Sequence, residues 1–519
     1  MNNLSQHIVN KAWNFAHVLR DDGLSYMGYT EQISFLLFLK MAHQRTQPPH
    51  HEPPLVPPEL GWGSLLALDG EELDSHYRHI LEELGKKPGM LGEVFKKARP
   101  DIQNPATLKR LIVDLIEPED WLSMQADIKG DIYEGLLARS AEESPKGAGQ
   151  YFTARPLTQV VVDVTQPRPS DTLCDPAIGT AGFPLAAHAF VSLHFGSSMD
   201  VDQKRHLRTE FVHGMELVPA TGRLAIMNLL LHGINTDVCP IEVGVDSLAK
   251  EPRQKYSLVL TNPPFGKKSS FSIVNEEGDL EKEDNAYQRD GFWVTTKNKQ
   301  LNFLQHVTTL LKVNGRCAIV VPDNVLFEGG AGQTIRETLL KNYDVHTLLR
   351  LPTGIFYAQG VKANVLFFDA KPAREEPWTR TLWVYDFRTN VHFTLKNNPL
   401  RREHLDEFVA CYFNITAEDV AAMRDPRHPT LPSLLTRLNR AATWSESNPD
   451  GRWRAFEYEE LIQRDKVNLD IFWIKDKSLE DTENLPEPDD LAREIAEDLR
   501  TVMEQFEAIV EGLGSAANQ

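Results

Sequence analysis

The sequence has few thiols: 519 residues carry four cysteines, Cys174, Cys239, Cys317 and Cys411, and no Cys-x-x-Cys pair. That excludes a disulfide scaffold and a thiolate metal centre, and leaves reduced, buried thiols as the expectation. The 17 histidines show no HExxH spacing, so no metal is expected. No apolar run approaches the roughly 20 residues that span a bilayer. The best candidate, 33–42, is short and carries Lys40. The first residues, MNNLSQHIVNK, lack the apolar core of a secretory signal, so the expected location is cytoplasmic. Neither GxGxxG nor GxxxxGK[ST] is present, and a phosphate cradle is not indicated. Basic residues are also scarce, 55 against 74 acidic, for a net charge of −19. A chain that bound nucleic acid alone would carry a basic surface to neutralise phosphates. With a nucleic-acid substrate, most phosphate contact would come from a partner.

The composition, 41% hydrophobic and 25% charged, is that of a globular protein, and the length predicts two to three domains. Residues 1–145 are predicted helical: Ile8, Trp13, Ala16 and Leu19 recur at helical spacing, followed by an apolar segment from Ile33 to Met41. An extended loop with six prolines, 47–60, interrupts them, and helical signals resume at 71–94 and 126–142. A glycine-containing hinge, SPKGAGQYFT at 144–153, leads into an alternating region. Strand-like runs fall at 172–174, 211–214, 258–260, 317–321, 347–351 and 363–368, with helical segments at 183–195, 219–232 and 302–312. Alternation of this kind predicts an α/β fold with a mostly parallel sheet, whose ligands bind at the carboxyl ends of strands. Beyond about 400 the chain turns irregular and polar and ends in a helix. There Ile495, Leu499, Val502, Phe506, Ile509 and Leu513 follow a coiled-coil period, or line an amphipathic helix packed on its own domain. From Asp476 onward 13 acidic residues face 3 basic ones, so any docking partner of this tail is expected to be protein.

Three stretches carry chemistry. LCDPAIGTAGF, 173–183, places Asp175 at a strand end before a turn with Gly179 and Gly182. Gly179 would permit a sharp turn and Gly182 a close approach of backbone to ligand, although an ordinary strand–helix turn also has this form. In HGMELVP, Glu216 ends the second strand, where an acid can accept from ribose hydroxyls. Asp246, in GVDSL, is placed either to bond an exocyclic amine or to cap a turn. Together they favour a nucleoside cofactor without a phosphate chain.

The third stretch is TNPPF, Thr261 to Phe265, which stops a strand with Asn262, Pro263, Pro264 and an aromatic ring. An exocyclic aromatic amine is a poor nucleophile because its lone pair is delocalised. The Asn262 side-chain oxygen and the Pro263 carbonyl, bonding its two N–H groups, would favour a pyramidal nitrogen with the lone pair freed. The prolines would hold both acceptors in place beforehand. Phe265 offers a face for a flipped-out base.

GAGQYFTARPL, DPAIGTAGF, GMELVP, TNPPFG, VPDNVLFEGG and LPTGIFYAQGVKANVLFF occur in an order and spacing that resemble the modification subunits of type I restriction–modification enzymes, closest to the EcoKI-like branch of the HsdM family. The likeness extends to LRDDGLSYMGY near the start and LDIFWIKDKSLEDTENLPEPD near the end. It implies a Rossmann-like, S-adenosylmethionine-dependent adenine-N6 DNA methyltransferase domain over 146–400. A helical N-terminal domain over 1–145 and a C-terminal region over 401–519 with a subunit-docking helix would flank it. It further implies a separate specificity subunit that reads the DNA, two modification subunits for each of these, and a restriction subunit that can join. By position, Gln150, Tyr151, Phe152, Thr153 and Arg155 would line the cofactor's methionine end. Asp175, Gly179, Thr180, Ala181 and Gly182 would form the glycine-turn side, with Glu216 on the ribose and Asp246 on the cofactor's adenine. Asn262, Pro263, Pro264 and Phe265 would be the catalytic loop, and Phe356 would stack on the target base from its other side. Two departures bear on cofactor affinity: Ile178 where the family has a small residue, and Ala154 where it has proline. Two other readings stay open on the residues alone: an amino-group methyltransferase acting on RNA or on glutamine side chains, and a scaffold that has lost catalysis.

Overall fold

The computed structural model describes residues 11, 15, 26–121, 153–234, 236–249, 251–265, 270–274, 280–284, 287, 289–356, 361–394, 398–425, 437, 439–477, 495, 496, 499 and 503. The predicted helix at 126–142, all but the last residue of the 144–153 hinge, and most of the C-terminal heptads lie outside them. The chain divides into two compact units, Met1–Phe152 with Arg168–Lys250, and Thr153–Pro167 with Glu251–Gln519.

In the first unit, the helix Tyr26–Thr46 is buried on all sides from Gln32 to Ala42, which is why its sequence shows an apolar run rather than a stripe. Lys40, inside that run, donates to Glu117 Oε2 at 2.6 Å, and Trp62 Nε1 donates to the same oxygen at 2.5 Å. Burial pushes the Glu117 carboxyl up, but these two bonds outweigh it and hold it below its ordinary value. No helix among the described residues is long and apolar enough to cross a membrane. The helix Tyr26–Thr46 packs on the helix Pro219–Leu231. Arg45 closes the end of the latter by donating to the Leu230 and Leu231 carbonyls at 3.3 and 2.7 Å, groups a helix C-terminus leaves unpaired. Glu31 pairs with Arg223 at its start. The three strands of this unit, β1 (Leu173–Asp175), β2 (Val212–Glu216) and β3 (Ile241–Val243), are parallel, with Asp175 beside Gly214 and Glu216 beside Val243.

In the second unit, β4 (Tyr256–Thr261) pairs parallel with β7 (Leu311–Pro322), and β5 (Ser270–Val274) forms an antiparallel hairpin with β6 (Leu280–Asp284). Next come β9 (Ala363–Ala370), β8 (Tyr343–Arg350), β10 (Thr381–Asp386) and the edge strand β11 (Trp453–Glu457). Every residue of β9 is buried, and it runs antiparallel to both β7 and β8. It follows β8 after a connection of only 351–362, short for a parallel crossover but ample for an antiparallel neighbour.

The region after residue 400 is more ordered than its polarity suggests. It contributes the helices Asp406–Phe413, Ala417–Arg424 and Tyr458–Gln463 as well as β11. Trp453 is buried and stacks on Trp383 with ring centroids 5.3 Å apart. Two buried arginines hold the stretch that follows. Arg336 donates to the Lys466 and Val467 carbonyls at 2.7 and 3.0 Å, and Arg350 to the Ile471 carbonyl at 2.5 Å and Asp470 Oδ1 at 2.6 Å. All four cysteines are free; Cys174 and Cys317 are buried and the other two half-buried.

Candidate active site

In the first unit the sequence-predicted residues converge on the carboxyl ends of β1 and β2. After β1, Asp175 Oδ1 accepts from the Ala177 amide at 3.0 Å, which starts the turn. Gly179 has φ +55°, where a side chain is strained, and Ala181 follows at φ +70° despite carrying one. Glu216, 4% exposed, ties this turn to β2: its Oε2 accepts from the Gly179 amide at 3.0 Å and its Oε1 from the Val218 amide at 2.9 Å. Thr180 is fixed by Asn228 Nδ2, which donates to its carbonyl at 3.0 Å. A Cβ placed on Gly182 would meet no atom within 4 Å, and its φ is not one that excludes other residues. Among the described residues no packing contact demands glycine there. Asp246 Oδ1 accepts from the Leu248 amide at 2.9 Å, the turn-capping bond.

Ile178, the bulky departure, is 3% exposed, and its amide donates to the Met215 carbonyl at 3.0 Å. A Cβ on Gly214 would overlap Ile178 Cδ1. The extra volume of Ile178 is accommodated by the missing side chain of β2.

The second unit holds the TNPPF loop. β4 ends at Thr261, and Asn262 follows at 9% exposure with its Nδ2 donating to Thr153 Oγ1 at 2.9 Å. Asn262 Oδ1 is buried and has no hydrogen-bond partner among the described residues; the same holds for the neighbouring Thr261 Oγ1. A buried carbonyl oxygen without a donor costs about 1–3 kcal/mol, a cost that a ligand N–H bonded there would remove. Pro263 is buried, and Pro264 and Phe265 are half-buried. The Phe265 ring meets Phe356 edge to face, with centroids 5.4 Å apart and planes at 85°. A base stacked between two rings needs about 7 Å, two contacts of about 3.5 Å, so this arrangement has no gap for one.

Thr153 precedes the helix Arg155–Thr165, whose second residue is Pro156 and whose N-cap, Ala154, lies at φ −53° and ψ 128°. That φ is one proline also adopts, so alanine reproduces the geometry the family's proline would impose. Arg155 is the first helical residue and half-buried. Gln150, Tyr151 and Phe152 lie outside the described residues. The bond between Thr153 and Asn262, 109 residues apart, was not foreseeable from spacing; the only signal was that both lay in quoted motifs.

Residues 124–425 match the N-6 DNA Methylase family, and residues 8–115 match the HsdM N-terminal domain. The chain is 38% identical over 539 residues to the type I restriction enzyme EcoKI methylase subunit of Escherichia coli (strain K12), covering 99% of this chain and 96% of that protein. It is 37% identical over 538 residues, with the same coverage, to the StySJI methylase subunit of Salmonella typhimurium. Among solved structures, the crystal structure of the EcoKI M protein aligns with a TM-score of 0.51 at 33% identity, over 98% of this chain and 96% of that one. A structure describing complex assembly and conformational transition of the type I R-M system aligns with a TM-score of 0.62 at 24% identity over 98% of both chains, a likeness of fold.

Proposed function

This chain belongs to the methylase subunits of type I restriction enzymes, and from that membership we propose how its residues carry the methyl transfer. It is an adenine-specific DNA methyltransferase that acts at N6. S-adenosylmethionine, when bound, supplies the electrophilic methyl group. Glu216 would accept from its ribose hydroxyls and Asp246 from its adenine amine. The turn from Asp175 through Gly179, Thr180, Ala181 and Gly182 would lie against it. Gln150, Tyr151, Phe152, Thr153 and Arg155 would hold its methionine end.

The observation that carries the reading is the unpartnered, buried Oδ1 of Asn262. Thr153 takes the other end of that amide, so the oxygen is presented rather than free to rotate. The adenine N6 would donate one hydrogen to Asn262 Oδ1 and the other to the Pro263 carbonyl, which would leave its lone pair out of the ring plane. Methylation would turn the donor's sulfonium into a thioether and leave the nitrogen cationic, and its proton would then pass to water without a strong base. Phe265 supports the base face.

DNA is delivered by a partner: with a net charge of −19 the chain is poorly suited to hold phosphates alone. That partner is a specificity subunit that chooses the site and binds two copies of this chain, and a restriction subunit joins the complex. Ile495, Leu499 and Met503, helical and exposed at four-residue spacing, would form part of the docking face. The test is Asn262→Ala. Transfer is expected to vanish while S-adenosylmethionine affinity stays within a few fold. Loss of cofactor binding, or retained transfer, would remove Asn262 from this role.

A further inference from the structure

VPDNVLFEGG and LPTGIFYAQGVKANVLFF are bridged by Arg388, which lies in neither: it pairs with Asp323 of the first and donates to the Leu351 and Ala363 carbonyls of the second. Asp323, just after β7, receives both arms of Arg388: Nη1 donates to Oδ2 at 2.6 Å and Nη2 to Oδ1 at 2.8 Å. Asn364 Nδ2 donates to Asp323 Oδ1 at 2.9 Å, and Arg388 Nη2 also reaches the Ala363 carbonyl at 3.0 Å. Arg388 Nε donates to the Leu351 carbonyl at 2.8 Å. The Leu351 amide donates to the Ala363 carbonyl at 3.0 Å, so the first residue after β8 is held at both its polar groups. From that root the chain turns at Gly354, φ +79°, where a Cβ would overlap the Phe393 carbonyl. It then buries Ile355 and Phe356, and Phe356 sets its ring against Phe265.

We propose that Asp323 and Arg388 are positioning residues for the target base: they fix the root of the Leu351–Phe356 segment, and through Phe356 they set the Phe265 ring that receives the flipped adenine. The proposal rests on the methyltransferase reading of the Asn262 loop. A bidentate pair with further N–H groups in the same plane to bond the Leu351 and Ala363 carbonyls is what a guanidinium supplies and an ammonium does not. Lysine could keep the charge beside Asp323 but could not hold Leu351 as well. Because Phe356 fills the space a second stacking partner would need, seating a base requires the ring to shift while its root stays fixed.

The experiment uses the full chain assembled with its specificity subunit and two duplexes: one with 2-aminopurine, which lacks the 6-amino group, at the target position to read base flipping, and the parent adenine duplex to read methyl transfer. Arg388→Lys and the isosteric Asp323→Asn are compared with Phe356→Leu and the wild type. Both clamp variants are expected to bind S-adenosylmethionine normally, to lose most of the 2-aminopurine emission that base flipping produces, and to fall in kcat roughly ten- to a hundredfold, as misplacement of about 1 Å can cause. Phe356→Leu is expected to share that signature. Wild-type emission and kcat in both folded clamp variants would overturn the proposal. A clamp defect that Phe356→Leu does not share would overturn the route through Phe356. Wild-type protein that neither methylates nor flips the base would instead count against the Asn262 reading.

Discussion

At the scale of single residues, Asp175, Glu216 and Asn262 lie at the carboxyl ends of β1, β2 and β4, where the alternating pattern puts a ligand site. What could not be foreseen was their bonding to one another. Glu216 is legible as an acid ending a strand, but its bond to the Gly179 amide joins residues 37 apart, and no periodicity records such a contact. Ile178, the departure expected to bear on cofactor affinity, is buried over Gly214. That complementarity has a measurable consequence. Gly214→Ala is expected to cost about 1–3 kcal/mol through overlap with Ile178. Adding Ile178→Ala should recover much of that loss, a coupling that chemical denaturation of the two single variants and the double variant would read. Additive costs would mean the two positions do not share space.

At the scale of elements, β1, β2, β4, β7, β8 and β9 were legible because strands buried on both faces read as apolar runs. β3 has three residues, and β10 and β11 mix polar with aromatic side chains, so neither length nor period separated them from loops. The reversed direction of β9 was not legible either, since parallel and antiparallel strands share a period of two. The helix Lys299–Leu310 was legible in position but not in burial: Asn302, Gln305 and His306 are fully buried. Arg289 Nη2 lies 2.8 Å from His306 Nδ1, an arrangement in which the ring nitrogen accepts and the imidazole is neutral. Burial, assisted by that cation, lowers the His306 pKa to about 3. The unfolded chain takes up this proton below about pH 6.5 and the folded chain does not, so stability falls as pH drops through the window from about 6.5 to 3, with a slope near 1.4 kcal/mol per unit for this site. Unfolding free energies measured between about pH 6.5 and 4.5 should show a slope smaller by that amount in His306→Gln. An unchanged slope would show that His306 charges in the folded state.

At the scale of the whole molecule, the proposed docking helix makes the C-terminal region two parts with different consequences when removed. Residues 464–477 are part of the second unit: Arg336 and Arg350 bind their backbone, and Val467, Leu469, Ile471 and Ile474 are buried. A chain ending at Lys477 is expected to keep its melting temperature but fail to join the specificity subunit, as size-exclusion chromatography would show. A chain ending at Gln463 takes Asp470 and the Ile471 carbonyl from buried Arg350 and leaves Arg336 only the Val325 and Glu328 carbonyls; loss of the Arg350–Asp470 pair alone is on the scale of about 3–5 kcal/mol, so this chain should unfold at a lower temperature. Equal stability of the two truncations would contradict the clamp; normal assembly of the longer one would contradict the docking helix.

The central claim is that the Asn262 loop methylates adenine N6 in DNA chosen by a partner. Modification-specific sequencing of DNA from cells producing this chain with its specificity subunit tests it most directly. The account predicts N6-methyladenine at one recurring sequence, lost in the Asn262→Ala variant. Unmodified DNA in those cells, or methyl groups appearing on protein or RNA instead, would contradict it.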